Sequence, residues 1–238
     1  MTHLRGCLLV LWTYLLMAIM GILCAPFAAF GPRRWTLGIM QTYVRLEFLG
    51  ARLICGMRPE IRGPIPQGEV IIAAKHQSFL DIMMLTLALD RPRFVMKRSL
   101  VWAPVLGFYA RRMGCVAVDR GAGGKALRDM VATAAADAEP GQLVIFPQGT
   151  RVAPGVVAPW KSGVAGLQEA LALPVIPVAT NAGHFWPRSG VARRPGAPVV
   201  AFLDPIPPGL PRAELMAELK ARIEPASDAL LAEARGEG

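Results

Sequence analysis

Apolar and polar positions divide this chain into three regimes. From Cys7 to Ala25, nineteen residues carry no charge, enough for roughly 28 Å of helix and so about one hydrocarbon thickness. That pattern predicts a membrane anchor, spanning or in-plane. A cleaved signal peptide shares the preceding Arg5 and the small residues around Ala25 and Ala28, but its apolar core is usually shorter. The second regime, Trp35 to Met57, is apolar yet interrupted by Arg45, Glu47 and Arg52, which argues against a second span. Leu37, Met40, Val44 and Phe48 recur there at helical spacing. They predict an amphipathic helix, lying at the interface or packed on the domain that follows.

In the third regime, Gly63 to about Pro208, short apolar runs alternate with amphipathic ones, as strands alternate with helices. The predicted strands are Val70–Ala74, Arg93–Met96, Cys115–Val118, Leu143–Phe146, Val175–Ala179 and Val199–Leu203. The predicted helices are Phe79–Leu89, Lys125–Ala138, Gly163–Ala172 and Arg212–Ile223, with Pro225 ending or kinking the last. No internal repeat or low-complexity linker interrupts them. The expected fold class is α/β: a mixed sheet flanked by helices, behind an N-terminal hydrophobic helical membrane anchor. The expected division is 1–62 for the membrane-associated helices, 63–208 for the α/β domain and 209–238 for a C-terminal helix and tail.

Composition sharpens the membrane reading. The formal net charge is +9, 53% of the 238 residues are hydrophobic, and mean hydropathy is +0.40. Through Arg62 the chain carries Arg5, Arg33, Arg34, Arg45, Arg52 and Arg58 against only Glu47 and Glu60, an excess suited to anionic headgroups. No aromatic-interleaved basic motif or zinc spacing supports nucleic-acid binding. Cys7, Cys24, Cys55 and Cys115 form no CxxC pair and read as buried thiols in a reducing compartment. With three histidines and no clustered Cys/His ligands, no metal site is expected.

The chemistry concentrates at Lys75-His76-Gln77-Ser78-Phe79-Leu80-Asp81, between a predicted strand and a predicted helix. Open α/β sheets place reactive groups at such corners. On one continuous helix, residues five apart point about 140° away from each other. A His76 in the loop and an Asp81 at the third helical position could instead meet. Ser78 and Asp81 also have the spacing of a capping box, and one carboxylate can serve both purposes.

Other corners offer cations and free amides: Met96-Lys97-Arg98, Val118-Asp119-Arg120, and Gly121 with Gly123-Gly124-Lys125. The glycine run lacks the spacing of a phosphate-binding P-loop and reads as a turn. The most suggestive corner is Phe146-Pro147-Gln148-Gly149-Thr150-Arg151. There Gly149 allows unusual backbone angles, Thr150 offers a hydroxyl and Arg151 a bidentate fork for phosphate. His184 reads as a loop residue packed on Trp186 or as a pocket lining residue.

Taken in order, His76-x4-Asp81, Val118-Asp119-Arg120, Phe146-Pro147-Gln148-Gly149-Thr150-Arg151 and Val175-Ile176-Pro177-Val178 resemble the four motif blocks of the glycerolipid acyltransferase family. The similarity runs from roughly Val70 to His184, and within the family it is nearest the lysophosphatidate acyltransferases. It implies an acyltransferase domain that moves an acyl chain from acyl-CoA or acyl carrier protein to the free hydroxyl of a lysophospholipid. No cofactor is implied. The implied partners are that acceptor, the thioester donor and membrane phospholipids, with the catalytic domain on the cytoplasmic face. His76 matches the family's base and Asp81 its orienting residue. Arg120 and Arg151 match acceptor phosphate positions, with Gly149 and Thr150 shaping that pocket. Lys97 and Lys161 fall at frequently basic positions. Gln148 stands where the family usually has Glu: it keeps the reach and loses the charge. That departure leaves open another acceptor, such as a lyso-ornithine lipid, while a non-catalytic lipid-binding scaffold is the reading of a different class. The chain has no Gly-x-Ser-x-Gly elbow and no cysteine beside a histidine motif, which favours direct attack on the thioester over an acyl-enzyme.

Overall fold

A computed structural model describes residues 2–119, 123–137 and 139–237. Its centre is a seven-stranded sheet in the order β1-β7-β6-β2-β5-β3-β4. The strands are β1 (Glu60–Arg62), β2 (Ile71–Ala74), β3 (Pro92–Lys97), β4 (Val116–Val118), β5 (Gln142–Ile145), β6 (Val175–Thr180) and β7 (Val199–Phe202). From β6 through β4 all neighbours run parallel, whereas β7 pairs antiparallel with β6. The sheet is therefore mixed. β2, β5 and β6 are buried along their whole length, which is why they read as continuous apolar runs and not as alternating ones.

Helices α4 (Phe79–Ala88), α5 (Pro104–Arg112), α6 (Gly123–Ala135), α7 (Gly163–Leu171), α8 (Ala182–Phe185) and α9 (Arg212–Arg235) cover the sheet. Every predicted strand is present within a residue or two. The edge strand β1 and helix α5 were not predicted. β1 is only three half-exposed residues, and α5 is nine residues opened by Pro104, so neither leaves a long periodic signal. Gly123-Gly124-Lys125 opens α6 instead of forming a turn.

Pro225 does not end the last helix. α9 continues twelve residues beyond the predicted Ile223. Proline removes the bond to the carbonyl of Ala221, but both residues are exposed, so that carbonyl is left on the water side. Leu215, Leu219, Ile223, Ser227, Leu230 and Leu231 are buried on the opposite face and hold the helix on the sheet.

Upstream of the sheet lie α1 (Thr2–Leu23), α2 (Ala25–Phe30) and α3 (Arg33–Gly50), which ends in a π-helical turn at Ala51–Cys55. α1 is long and apolar enough to cross a membrane by length and composition. Its two faces differ sharply. Leu9, Trp12, Leu16, Met17 and Met20 join the main core, while Leu4, Leu8, Leu11, Leu15, Ile19 and Ile22 are exposed and form one helical stripe of unpartnered apolar surface. Cys7 is exposed as well, and Cys24 and Cys115 are only half-buried; Cys55 alone of the four is buried. The expectation of buried thiols fails for Cys7 because it belongs to that outer surface.

α3 packs on the sheet domain, the second of the two readings of its sequence. Arg33 bonds both carboxylate oxygens of Asp137 at 2.9 and 3.0 Å, and the Gln41 amide reaches the carbonyls of Thr86 and Leu89 at 3.4 Å. Arg112 of α5 reaches back to the carbonyls of Ala28 and Gly31 at 2.7 and 2.6 Å.

Fully buried Glu47 joins α3 to α1, with Oε1 2.6 Å from the Thr13 hydroxyl. That hydroxyl also lies 2.8 Å from the Leu9 carbonyl. It has one proton for two acceptors, so a protonated Glu47 completes the set. Burial raises the Glu47 carboxyl to about 7, against the lowering effects of the Thr13 hydrogen bond and the Arg193 cation. In the folded chain Glu47 thus keeps a proton that the unfolded chain releases near pH 4.5. The unfolded state binds fewer protons through that window, so stability falls as pH rises from about 4.5 and levels off above about 7. Glu47→Gln removes this term. The variant is expected to gain roughly 3 kcal/mol over wild type between pH 5 and pH 8, read as a widening difference in thermal midpoint; a constant difference would show that Glu47 is charged in the fold.

Candidate active site

The strand β2 ends at Ala74, and the chain then turns through Lys75-His76-Gln77 into α4. Ser78 is the N-cap in extended conformation, and its hydroxyl accepts the Leu80 N–H at 3.1 Å. Asp81, at the third helical position, completes the capping box. Its Oδ2 accepts the backbone N–H groups of Gln77 and Ser78 at 2.7 and 2.8 Å. The same oxygen lies 3.2 Å from His76 Nδ1. Capping and orienting are therefore one arrangement: the carboxylate that terminates the helix also holds the imidazole.

This geometry sets the tautomer. A carboxylate oxygen accepts, so Nδ1 carries the proton and Nε2 keeps its lone pair. The His76 ring stacks on Phe146, with centroids 4.0 Å apart and an interplanar angle of 22°. Phe146 follows β5, next to β2 in the sheet, and fixes the ring plane from the side. Thr180, at the end of β6 on the other side of β2, places its hydroxyl 3.3 Å from Asp81 Oδ1. Its single proton goes to the nearer Val199 carbonyl at 2.8 Å. The imidazole is about one-eighth exposed and the carboxylate almost fully buried.

Gln148 belongs to the same corner. Its Oε1 accepts the His76 backbone N–H at 3.3 Å. That donor assigns the amide orientation, since a flipped amide would oppose two N–H groups. Nε2 is buried and finds no partner among the described residues. His76 is further held through its carbonyl, which accepts the Val152 N–H at 2.8 Å. Gln77 is buried, and its Oε1 accepts the Gly183 N–H at 3.1 Å, which ties the corner to α8.

Parallel strands β2, β5, β3 and β4 bring their carboxyl ends to one edge of the sheet. His76 follows β2, Gln148 and Gly149 follow β5, and Lys97 closes β3, two strand spacings or roughly 10 Å from β2. Gly149 has φ +66°, in the left-handed region. A Cβ added there would lie 3.3 Å from Cε and 3.4 Å from Nζ of Lys161, so the ammonium of Lys161 rests on the Gly149 turn. Lys97, Thr150 and Lys161 are exposed and Arg151 is half-buried. Arg120 lies outside the described residues. His184 sits on α8 with its ring edge-on to Phe185 at 5.0 Å, not on Trp186. Arg193 covers Trp186, 4.3 Å from the ring centroid. Burial first, then the Arg194 cation, lowers the His184 pKa. Among the described residues no cluster of His, Cys, Asp and Glu could hold a metal.

Phe146 and Thr180 received no role from sequence, since each contacts the corner only through strand adjacency. Lys75 was equally silent: a lysine beside a loop histidine reads as solvated, yet here it is buried.

The Acyltransferase family model matches residues 58–181. The chain is 32% identical to the 1-acyl-sn-glycerol-3-phosphate acyltransferase of Pseudomonas aeruginosa over 161 residues, 66% of this chain and 63% of that protein. It is 31% identical to the alpha form of that acyltransferase from Mus musculus over 143 residues, 58% of this chain and 50% of that protein. The matched part thus spans between half and just under two thirds of these relatives. In fold the chain resembles the crystal structure of the 1-acyl-sn-glycerophosphate (LPA) acyltransferase PlsC from Thermotoga maritima, with a TM-score of 0.80 and 22% identity over 97% of this chain and 98% of that one.

The corner carries a thermodynamic signature that needs no substrate. Asp81→Ala strands the Gln77 and Ser78 N–H groups and is expected to cost about 3 kcal/mol, while Ser78→Ala costs about 1 kcal/mol. Equal and small losses in chemical denaturation would show that Asp81 does not bind the turn as described.

Proposed function

The chain belongs to the acyltransferase family, and on that premise we propose that it is a membrane-bound O-acyltransferase acting on 1-acyl-glycerol-3-phosphate. It would take an acyl chain from an acyl-CoA or acyl carrier protein thioester and release phosphatidate. The observation that carries this reading is the His76 imidazole, with Nδ1 3.2 Å from Asp81 Oδ2 and its face on Phe146. That leaves Nε2 as the free basic position at the carboxyl edge of the sheet.

The chemistry follows from that nitrogen. Nε2 takes the acceptor hydroxyl proton as the oxygen attacks the thioester carbonyl, and Asp81 stabilises the imidazolium that forms. Collapse of the tetrahedral adduct breaks the C–S bond, and the imidazolium passes its proton to the departing thiolate, which restores neutral His76. No acyl-enzyme is needed. Lys97, Arg151 and Lys161 supply positive charge along the same edge, suited to a phosphate monoester, and Arg120 is assigned to the acceptor phosphate on the resemblance alone.

Gln148 was the motive for another acceptor. Its Oε1 accepts a backbone N–H of the catalytic residue, a task that a neutral carbonyl performs as well as a carboxylate. The loss of charge at Gln148 is therefore no reason to abandon lysophosphatidate for a lyso-ornithine lipid. Membrane attachment is supported by the exposed apolar stripe of α1 and continues through Phe27 and Phe30 of α2.

Purified protein in anionic mixed micelles, given an acyl thioester and lysophosphatidate, is expected to form phosphatidate. His76→Ala should abolish it, and Asp81→Asn should lower kcat by about 10³–10⁴-fold. Turnover of lyso-ornithine lipid alone would move the protein to that acceptor, and full activity of His76→Ala would remove the base mechanism.

A further inference from the structure

Lys75 is the residue before His76, and its side chain is almost completely buried. A buried ammonium needs a partner, because removing it from water costs several kcal/mol that only close pairing offsets. The partner is Glu224 on α9, which lies 149 positions later: Nζ of Lys75 donates to Oε2. The other oxygen of the same carboxylate, Oε1, accepts Nε1–H of Trp160 at 3.1 Å. Trp160 is half-buried against the second core cluster, and it immediately precedes Lys161.

The two ends of the segment 151–162 are already fixed by backbone. Val152 N–H donates to the His76 carbonyl and Lys161 N–H to the Pro147 carbonyl, both at 2.8 Å. What these bonds leave free is the direction in which Lys161 leaves the backbone. The Trp160 indole restricts it, because the residue next to Lys161 is held on Glu224. With Trp160 held on Glu224, Lys161 is turned to the Gly149 turn, where its Cε and Nζ lie 3.3 and 3.4 Å from the place a Cβ on Gly149 would take.

We propose that Glu224 is a positioning residue that locks the catalytic strand end and the acceptor-site lysine together, through Lys75 on one oxygen and Trp160 on the other. This rests on the acyltransferase reading and deepens it: the C-terminal helix sets the reach of Lys161 toward the acceptor phosphate. Glu224 itself touches no substrate. A mere staple of the fold would change stability and leave the kinetic constants of the folded enzyme alone.

Trp160→Phe keeps an aromatic ring at the position and deletes the N–H. Glu224→Gln would strand the Lys75 cation, so the companion variant is Lys75→Met/Glu224→Leu, which removes both charges. In full-length enzyme in mixed micelles, both are expected to raise KM for lysophosphatidate about five- to tenfold, with kcat and thioester KM within about twofold of wild type. Their combination should be no worse than either alone, and amide exchange across 152–161 should quicken. Unchanged exchange overturns the tether whatever the substrate. Unchanged acceptor KM in an active enzyme, or additive losses, overturns the positioning role. A wild type that forms no phosphatidate refutes the acyltransferase reading, and the exchange result still decides the tether.

Discussion

A single buried oxygen, Asp81 Oδ2, accepts the N–H groups of Gln77 and Ser78 and faces Nδ1 of His76. The rest of the site depends on it. A helix N-terminus leaves free amides that must find acceptors, so an acid at the third position is favoured for folding alone. The positive end of the α4 dipole adds to that preference. Because the cap is buried and over-determined, the carboxylate cannot swing away, and the imidazole that reaches it is held in one tautomer. Stability of the turn and the orientation of the imidazole come from the same contacts.

The sheet explains why this turn sits where it does. β2 lies at the centre, flanked by β5 and β6, and both neighbours send groups to the corner: Phe146 and Gln148 after β5, Thr180 at the end of β6. The parallel strands bring Lys97 and the Gly149 turn to the same edge as His76, so the cations and the imidazole are separated by strand spacings and not by flexible loops. On the opposite flank α9 crosses back to Lys75, and the chain's last long element thereby reaches its first motif.

Much of this was legible in the sequence, and for stated reasons. Continuous apolar runs marked β2, β5 and β6, and the Ser78/Asp81 spacing fixed the start of α4, because caps are local chemistry. The five-residue gap between His76 and Asp81 predicted contact only if a loop met a helix, which is what occurs. Long-range facts were hidden. Glu224 and Trp160 carry no local sign of their link to Lys75. Burial of α9 overrode the helix-breaking signal of Pro225, because the freed carbonyl faces water. The interior face of α1 was invisible too, since its sequence is apolar all round and only its packing on α3, the π-helical turn and α5 distinguishes core from outer surface.

The central claim is that Asp81 holds His76 as the Nδ1–H tautomer with Nε2 free to take a proton. Nitrogen-15 NMR of histidine-labelled protein reads this directly. With only His3, His76 and His184 in the chain, the His76 signals are assigned by their loss in His76→Gln. The account predicts that neutral His76 shows a protonated Nδ1 and a pyridine-like Nε2, and that this preference collapses in Asp81→Asn. A His76 that is protonated on Nε2, or that averages both tautomers in wild type, would contradict it.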